Sequence, residues 1–278
     1  AEKLSGLLDK LGNNNAAGEY YLTDTVAVAE KKGVYTADST DVVLGANSRS
    51  QLAALNEVAR KRKLAELMDE GVDIPLSDGI IIGKDVKIGH DTVILPNTII
   101  KGKTVIGNGC EIGPNSYIAD CVIEDNVILN NVQAHESKVD SCAKAGPFVH
   151  LRPNTHLHSG VKIGDFVEVK NSEIGINTCI AHLTYVGDSD VGKGVNFGCG
   201  CVTANYDGIK KYRTTIGDNA FIGCNTNLIA PVTIGDNATT AAGSTITKNV
   251  PADSLAVERG QTRIIEHWEK NSKRIKKA

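Results

Sequence analysis

The sequence predicts an all-β rod: a parallel β-helix wound from six-residue units. Three observations predict it. Aliphatic residues recur every six positions without a miss at Ile82, Ile88, Ile94, Ile100, Ile106, Ile112 and Ile118. Four residues after each of the first six stands a small or β-branched residue: Val86, Thr92, Thr98, Thr104, Cys110 and Ser116. Aromatic residues make up only 4% of the chain, whereas glycine occurs 28 times in 278 residues, so any core is built from small and aliphatic side chains. A period of six suits neither an α-helix, at about 3.6, nor a plain hairpin sheet, at 2. It suits a coil of three short strands, about 18 residues per turn, with the aliphatic inside, the small residue near the corner and glycine relieving the turn. Successive coils pair as parallel strands about 4.8 Å apart, so residues 80–250 give about nine coils and a rod of about 45 Å.

The elements follow in order. Leu4, Leu7, Leu8 and Leu11 are spaced for one face of a short helix. Residues 48–71, SRSQLAALNEVARKRKLAELMDEG, hold no proline and one terminal glycine, which predicts a long connector helix stopped at Gly71. The hexapeptide frame starts near residue 80. It persists with slips through Leu157, Ile163, Val169, Ile174, Ile180, Val186, Val191 and Phe197, and returns as Ile216, Ile222, Leu228, Ile234, Thr240 and Ile246. Two stretches are expected to interrupt it: 129–156, and 203–214 with its Asp207-Gly208 turn and its cations Lys210, Lys211 and Arg213. The end of the chain, EHWEKNSKRIKKA, predicts a short basic helix with solvated charge.

Bulk properties exclude several classes. The net charge of -3 supplies no basic field for nucleic acid. No apolar run reaches about 18 residues, so no membrane-spanning helix is expected. Seven cysteines without a CxxC pair predict reduced thiols and, with no signal-peptide pattern, a cytoplasmic setting.

Interruptions of a solenoid push chain outward, and function gathers there. At the end of the first lies Arg152, and between the two lie Lys170, His182, Tyr185 and Asn196. Arg152 and Lys170 are 18 apart, one full coil, which stacks the cations into an anion grip. His182 is a candidate general base, since a neutral imidazole near pH 7 can take a proton from an amine or hydroxyl. Cys199 and Cys201, two apart, are expected to share a strand face as small-residue substitutes, and His156 and His158 read as a surface pair.

The words LRPNT, GDFVEVKNSEIG, AHLTYVGD, GVNFGCG, NYDG and IAPVTIGDNATTAAGSTIT closely resemble one family over about 79–268. It is the bacterial bifunctional N-acetylglucosamine-1-phosphate uridyltransferase/glucosamine-1-phosphate N-acetyltransferase family, in its acetyltransferase half. GEYYLTD and LGANSR resemble the end of its uridyltransferase domain. The resemblance implies a left-handed coil, where general handedness rules alone point to a right-handed one. It divides the chain into a small α/β remnant at 1–47, a linker helix at 48–71, the acetyltransferase β-helix at 79–268 and a basic tail at 269–278.

It also implies acetyl transfer from acetyl-CoA to the amine of glucosamine 1-phosphate, on the route to UDP-N-acetylglucosamine and cell-wall precursors, by homotrimers whose active sites are shared between chains. The 203–214 loop is the candidate for the part that crosses to a neighbour. By resemblance His182 is the base. Arg152, Lys170, Tyr185, Asn196 and Lys211 hold the sugar phosphate. Cys199, Asn205, Tyr206, Cys224, Ala242 and Arg259 lie along the acetyl-CoA. Asn47 resembles a magnesium ligand of the uridyltransferase site, but the glycine-rich loop, lysine and aspartate that open that domain are not in this sequence, so no uridyltransferase activity is expected.

Rival readings remain open. One is a non-enzymatic solenoid, a scaffold or an ice-binding rod, of which ice binding needs an outward threonine ladder. A hexapeptide carbonic anhydrase needs zinc histidines, for which His150, His156 and His158 are the candidates. An acetyltransferase for another amino sugar shares the fold, and a substrate without the 1-phosphate leaves Arg152 and Lys170 unpaired.

Overall fold

The computed structural model describes residues 2–37 and 39–268. The chain divides into two compact units, the first through Val58 and the second from Ala59. In the first unit, short helices at Glu2–Leu8 and Thr25–Val28 and single 3-10 turns at Leu22–Asp24 and Thr40–Val43 are joined by exposed chain. Where a small α/β remnant is expected, the described residues carry no strand before Ile81. A long helix, Arg49–Asp69, bridges the division, and its last turns bury Leu64 and Leu67. Gly71, at φ 93°, ends it, a left-handed conformation that glycine adopts without a Cβ clash. From residue 269 on, the expected basic C-terminal helix lies outside the described residues.

From Ile81 to Ala256 the second unit is a three-sided parallel β-helix. Face 1 has ten strands, from Ile81–Ile82 to Thr245–Ile246. Face 2 has nine, from Lys87–Ile88 to Val232–Ile234, and face 3 has ten, from Val93–Ile94 to Leu255–Ala256. The chain visits the faces in that order, and every strand pairs in parallel with the strand one coil away, as in Ile81 with Ile99 and Ile99 with Tyr117. The core is the predicted frame. Ile94, Ile100, Ile112 and Ile118 are wholly buried, and so are Thr92, Thr98 and Thr104 at the corners. An isoleucine so placed contributes about 1.5–3 kcal/mol. The inward threonines remove the ladder that ice binding requires.

The corners turn differently from expectation. Among Gly83, Gly89, Gly107 and Gly113, the glycines that follow the aliphatic, only Gly113 has a positive φ. The left-handed corner residue is glycine at Gly102, Gly109, Gly160, Gly194, Gly200 and Gly243, and elsewhere often asparagine or aspartate, as at Asn97, Asn115, Asn126, Asn154 and Asn171, types that tolerate that region. Gly107 serves closeness instead: a Cβ there would lie 2.8 Å from the Asp125 backbone nitrogen of the next coil.

The stretch 129–156 is not an outward loop. It forms strands at Val132–His135, Lys138–Val139, Lys144–Ala145 and Val149–Leu151, with Val132, Ala134, Val139, Ala145, Val149 and Leu151 buried. Its coils are shortened at the corners, which shifts the six-residue frame without interrupting it. Of the two expected interruptions, only the second leaves the coil.

Candidate functional site

The second interruption is a hairpin at the corner between faces 1 and 2. After the strand Val202–Ala204, Tyr206 bridges antiparallel to Lys211, and the Tyr212 N–H donates to the Asn205 carbonyl at 2.9 Å. Asp207 accepts from the Ile209 and Lys210 N–H groups, each at 2.7 Å, and Gly208 takes φ 99°. Arg213 anchors the returning chain by donating to Asp190 Oδ2 at 2.8 Å and to the Asn171 and Ser189 carbonyls at 3.1 and 3.0 Å. Arg213 is thus a structural clamp, and Lys211 is the cation that the hairpin delivers.

Lys211 arrives beside Lys170, which ends the face 1 strand Glu168–Lys170. The neighbouring Lys211 charge lowers the pKa of the Lys170 ammonium, with desolvation adding to it and Asp188 opposing it. Arg152 stands one coil below, its N–H on the Val169 carbonyl at 2.8 Å. The expected Arg152–Lys170 stack is therefore formed, but Arg152 is already engaged: Nη1 lies 2.8 Å from Glu168 Oε1. Asp188, at the same corner, is 5% exposed. Burial alone would raise its pKa. Hydrogen bonds from Asn171 and Asn205 and the charges of Lys170 and Lys211 overcome that and hold it below the usual carboxylate value. The Tyr185 phenol crosses Gly187, where a Cβ would lie 2.3 Å from Oη, and it accepts from Asn205 Nδ2 at 3.5 Å. The corner thus gathers Arg152, Lys170, Tyr185, Asn205 and Lys211 with two carboxylates, Glu168 and Asp188.

The corner between faces 3 and 1 carries the second group. His182, exposed at the end of Cys179–His182, has its carbonyl taken by the Gly200 N–H at 3.3 Å. The Asn225 N–H donates to the Cys199 carbonyl and the Gly243 N–H to the Cys224 carbonyl, each at 2.7 Å. These bonds set His182, Cys199, Cys224 and Ala242 at equivalent places on four successive coils, a row of about 14 Å. The Arg259 side chain lies over Gly243 at its far end. A groove of about 350 Å³ continues the row below His182, lined by Asn130, Lys144, Lys162 and Asp165 among others. Lys144 and Lys162 pair in register and were not singled out from sequence, although their spacing repeats that of Arg152 and Lys170.

Other expected residues fall elsewhere. Asn196 lies on face 3, in register with Cys179. Asn205 sits with the cations, not in the His182 row, and the Tyr206 hydroxyl donates to the Gly208 carbonyl at 2.6 Å within the hairpin. Cys199 and Cys201 do not share a strand face, because the corner turns between them. Cys201 is buried, and burial pushes its thiol up to about 11, while Cys199 is half-buried. Asn47 is exposed ahead of the long helix and gives its N–H to Gln51 Oε1 at 2.7 Å. His150 lies on face 1, apart from His156 and His158, so those three histidines do not converge within one chain.

Residues 213–248 match the family model for bacterial transferase hexapeptide (six repeats). The chain is 51% identical over 269 residues to the bifunctional protein GlmU of Acetivibrio thermocellus, covering 95% of this chain and 58% of that one. The chain is thus similar to GlmU over nearly its whole length. It is also 48% identical to GlmU of Clostridium acetobutylicum over 94% of its length and 58% of the relative's, so it spans less than two thirds of the relatives it matches. Among solved structures, the UDP-N-acetylglucosamine acyltransferase of Francisella novicida aligns over 64% of this chain and 65% of its own, at 16% identity and TM-score 0.46. No described helix is long and apolar enough to cross a membrane.

Proposed function

We propose that the chain transfers acetyl from acetyl-CoA to the amine of glucosamine 1-phosphate. The observation that carries this reading is the meeting of Lys170 and Lys211, two ammonium groups set side by side by separate elements with Asp188 as their shared counter-charge. Such a pair is costly without an anion and well matched to a phosphate. Arg152 joins them once Glu168 yields it.

In the row at the other corner, His182 takes a proton from the substrate ammonium. The freed lone pair attacks the thioester carbonyl, and the CoA thiolate leaves from the tetrahedral intermediate. Imidazole is the side chain suited to take a proton from an amine near neutral pH. Cys199, Cys224, Ala242 and Arg259 line the path of the CoA. Similarity to GlmU supports both roles, and the cytoplasm supplies acetyl-CoA.

Within one chain the base and the cations stand at opposite edges of face 1. The reading joins them across a homotrimer, each site taking residues from neighbouring chains. An exposed apolar stripe supports such contact: Phe148, Phe166 and Leu183 occupy successive coils at the His182 corner, 53%, 57% and 60% exposed, with the two phenylalanine rings stacked at 5.0 Å.

Lys170→Ala tests the phosphate grip. A charged hydrogen bond is worth about 1.5–3 kcal/mol, so KM for glucosamine 1-phosphate should rise about 10- to 150-fold. KM for glucosamine itself should not move. Equal effects on both substrates would favour an acetyltransferase for another amino sugar, and absence of turnover in the native chain would favour a non-enzymatic solenoid.

A further inference from the structure

Away from both corners, the edge between faces 2 and 3 carries a cluster that acetyl transfer does not use. Lys138, His156 and Glu173 are in register on three successive coils of face 2. Asp140 and His158 follow two residues after Lys138 and His156, at the corner. The two imidazole rings lie 3.9 Å apart between two carboxylates. His156 places Nε2 2.9 Å from Asp140 Oδ1 and Nδ1 2.9 Å from Glu173 Oε2. His158 places Nδ1 3.1 Å from Asp140 Oδ2 and Nε2 3.1 Å from Glu173 Oε2. The Asp140 side chain is 12% exposed and that of His156 20%.

Four ring nitrogens therefore face carboxylate oxygens, which only accept when ionised. A neutral imidazole donates from one nitrogen. Two neutral rings satisfy two of the four contacts and turn nitrogen lone pairs against carboxylate oxygens in the other two. Two protonated rings remove that conflict but hold two cations with their ring centres 3.9 Å apart. A metal ion on the Asp140 side removes the conflict. His156 Nε2 and His158 Nδ1 give their lone pairs to the ion along with an Asp140 oxygen, which leaves His158 Nε2–H to donate to Glu173 Oε2 and the His156 Nδ1–H within 2.9 Å of the same oxygen. That is the carboxylate–histidine–metal relay by which outer carboxylates fix ligand tautomers.

We propose that Asp140, His156 and His158 bind one divalent transition-metal ion of the zinc class, with Glu173 orienting both imidazoles. One donor atom from each of the three residues already lies within 4.8 Å of the others. Tetrahedral zinc at about 2.0–2.1 Å from its ligands sets them about 3.3 Å apart, so the observed nitrogen–oxygen contacts open by only a few tenths of an ångström. Three protein ligands leave a fourth position for water. Imidazole and carboxylate suit zinc, cobalt or nickel better than magnesium, which prefers oxygen alone. Lys138 is the competing cation, with Nζ 2.9 Å from Asp140 Oδ1. Its side chain is 47% exposed and 3.7 Å from Glu124 Oε1, so it can pass to Glu124 when the ion enters. The ion would tie two coils together directly and a third through Glu173.

The test is titration of the metal-stripped full chain with zinc chloride, followed by metal analysis, and with cobalt chloride, followed by visible absorption. One ion per chain is expected, with tetrahedral-type cobalt bands free of thiolate charge transfer and a melting temperature raised by zinc. The double variant His156→Ala/His158→Ala should lose the ion. Glu173→Gln, which keeps every ligand, should weaken binding about 10- to 100-fold. Absence of binding, a thiolate charge-transfer band marking cysteine ligands, binding that survives the double variant, or a preference for magnesium chloride over zinc chloride would each overturn the proposal.

Discussion

Replacing Thr92 and Thr98 by valine, one at a time, sets two nearly identical changes against each other. Both threonines are fully buried at corner positions six residues apart in the same frame. The Thr92 hydroxyl donates to the Gly107 carbonyl at 2.8 Å and accepts from the buried Cys110 N–H at 3.0 Å. The Thr98 hydroxyl has no hydrogen-bond partner. Valine keeps the shape in both cases. Thr92→Val strands a buried N–H and costs about 1–3 kcal/mol, whereas Thr98→Val removes a hydroxyl that was desolvated without return and is neutral or stabilising. The variants should therefore differ by about 2 kcal/mol, or about 4–8 °C in melting temperature for a domain of this size. Thermal melts of both variants measure the difference. Hydrogen exchange at the Cys110 amide locates it, because a solenoid can open coil by coil. Equal melts, or a larger loss in Thr98→Val, would refute the reasoning.

Two further predictions concern the cation corner. Gly187→Ala places a methyl against the end of the Tyr185 ring and should displace the phenol from Asn205. KM for glucosamine 1-phosphate should rise several-fold with little change in melting temperature, because the obstacle is the far end of a side chain; a crystal structure with Tyr185 unmoved would contradict this. Asp188 makes the same corner sensitive to acid. Its folded pKa lies below its ordinary value, so its contribution to stability is fully present above about pH 4. That contribution is lost as pH falls through the folded value. Asp188→Asn should lower stability at pH 7 and flatten the dependence of stability on pH below about 4; urea titrations at pH 3 and pH 7 measure both.

The regular part of the fold was legible because one inward residue in six has nowhere else to go. The slipped frame over 129–156 was not, because short coils keep the inward alternation while breaking the count of six. Left-handed corners at residues such as Asn97 and Asn115 were not legible, because asparagine and aspartate in this frame also look like ordinary solvated turns. The stack of Arg152 over Lys170 followed from one-coil spacing. The engagement of Arg152 by Glu168 and the arrival of Lys211 beside Lys170 did not, since one depends on side-chain direction and the other on how a hairpin closes. Lys144 and Lys162 carried the same spacing signal without a motif to draw notice. His156 and His158 read as a surface pair because Asp140 and Glu173 reach them only once the coils are stacked.

The most direct test of the central claim is release of free CoA thiol from acetyl-CoA, with and without glucosamine 1-phosphate, by the native chain and by His182→Ala. Release should require the sugar phosphate and fall about 100-fold or more in the variant, the scale of a general-base contribution. Native-level release from His182→Ala would contradict it.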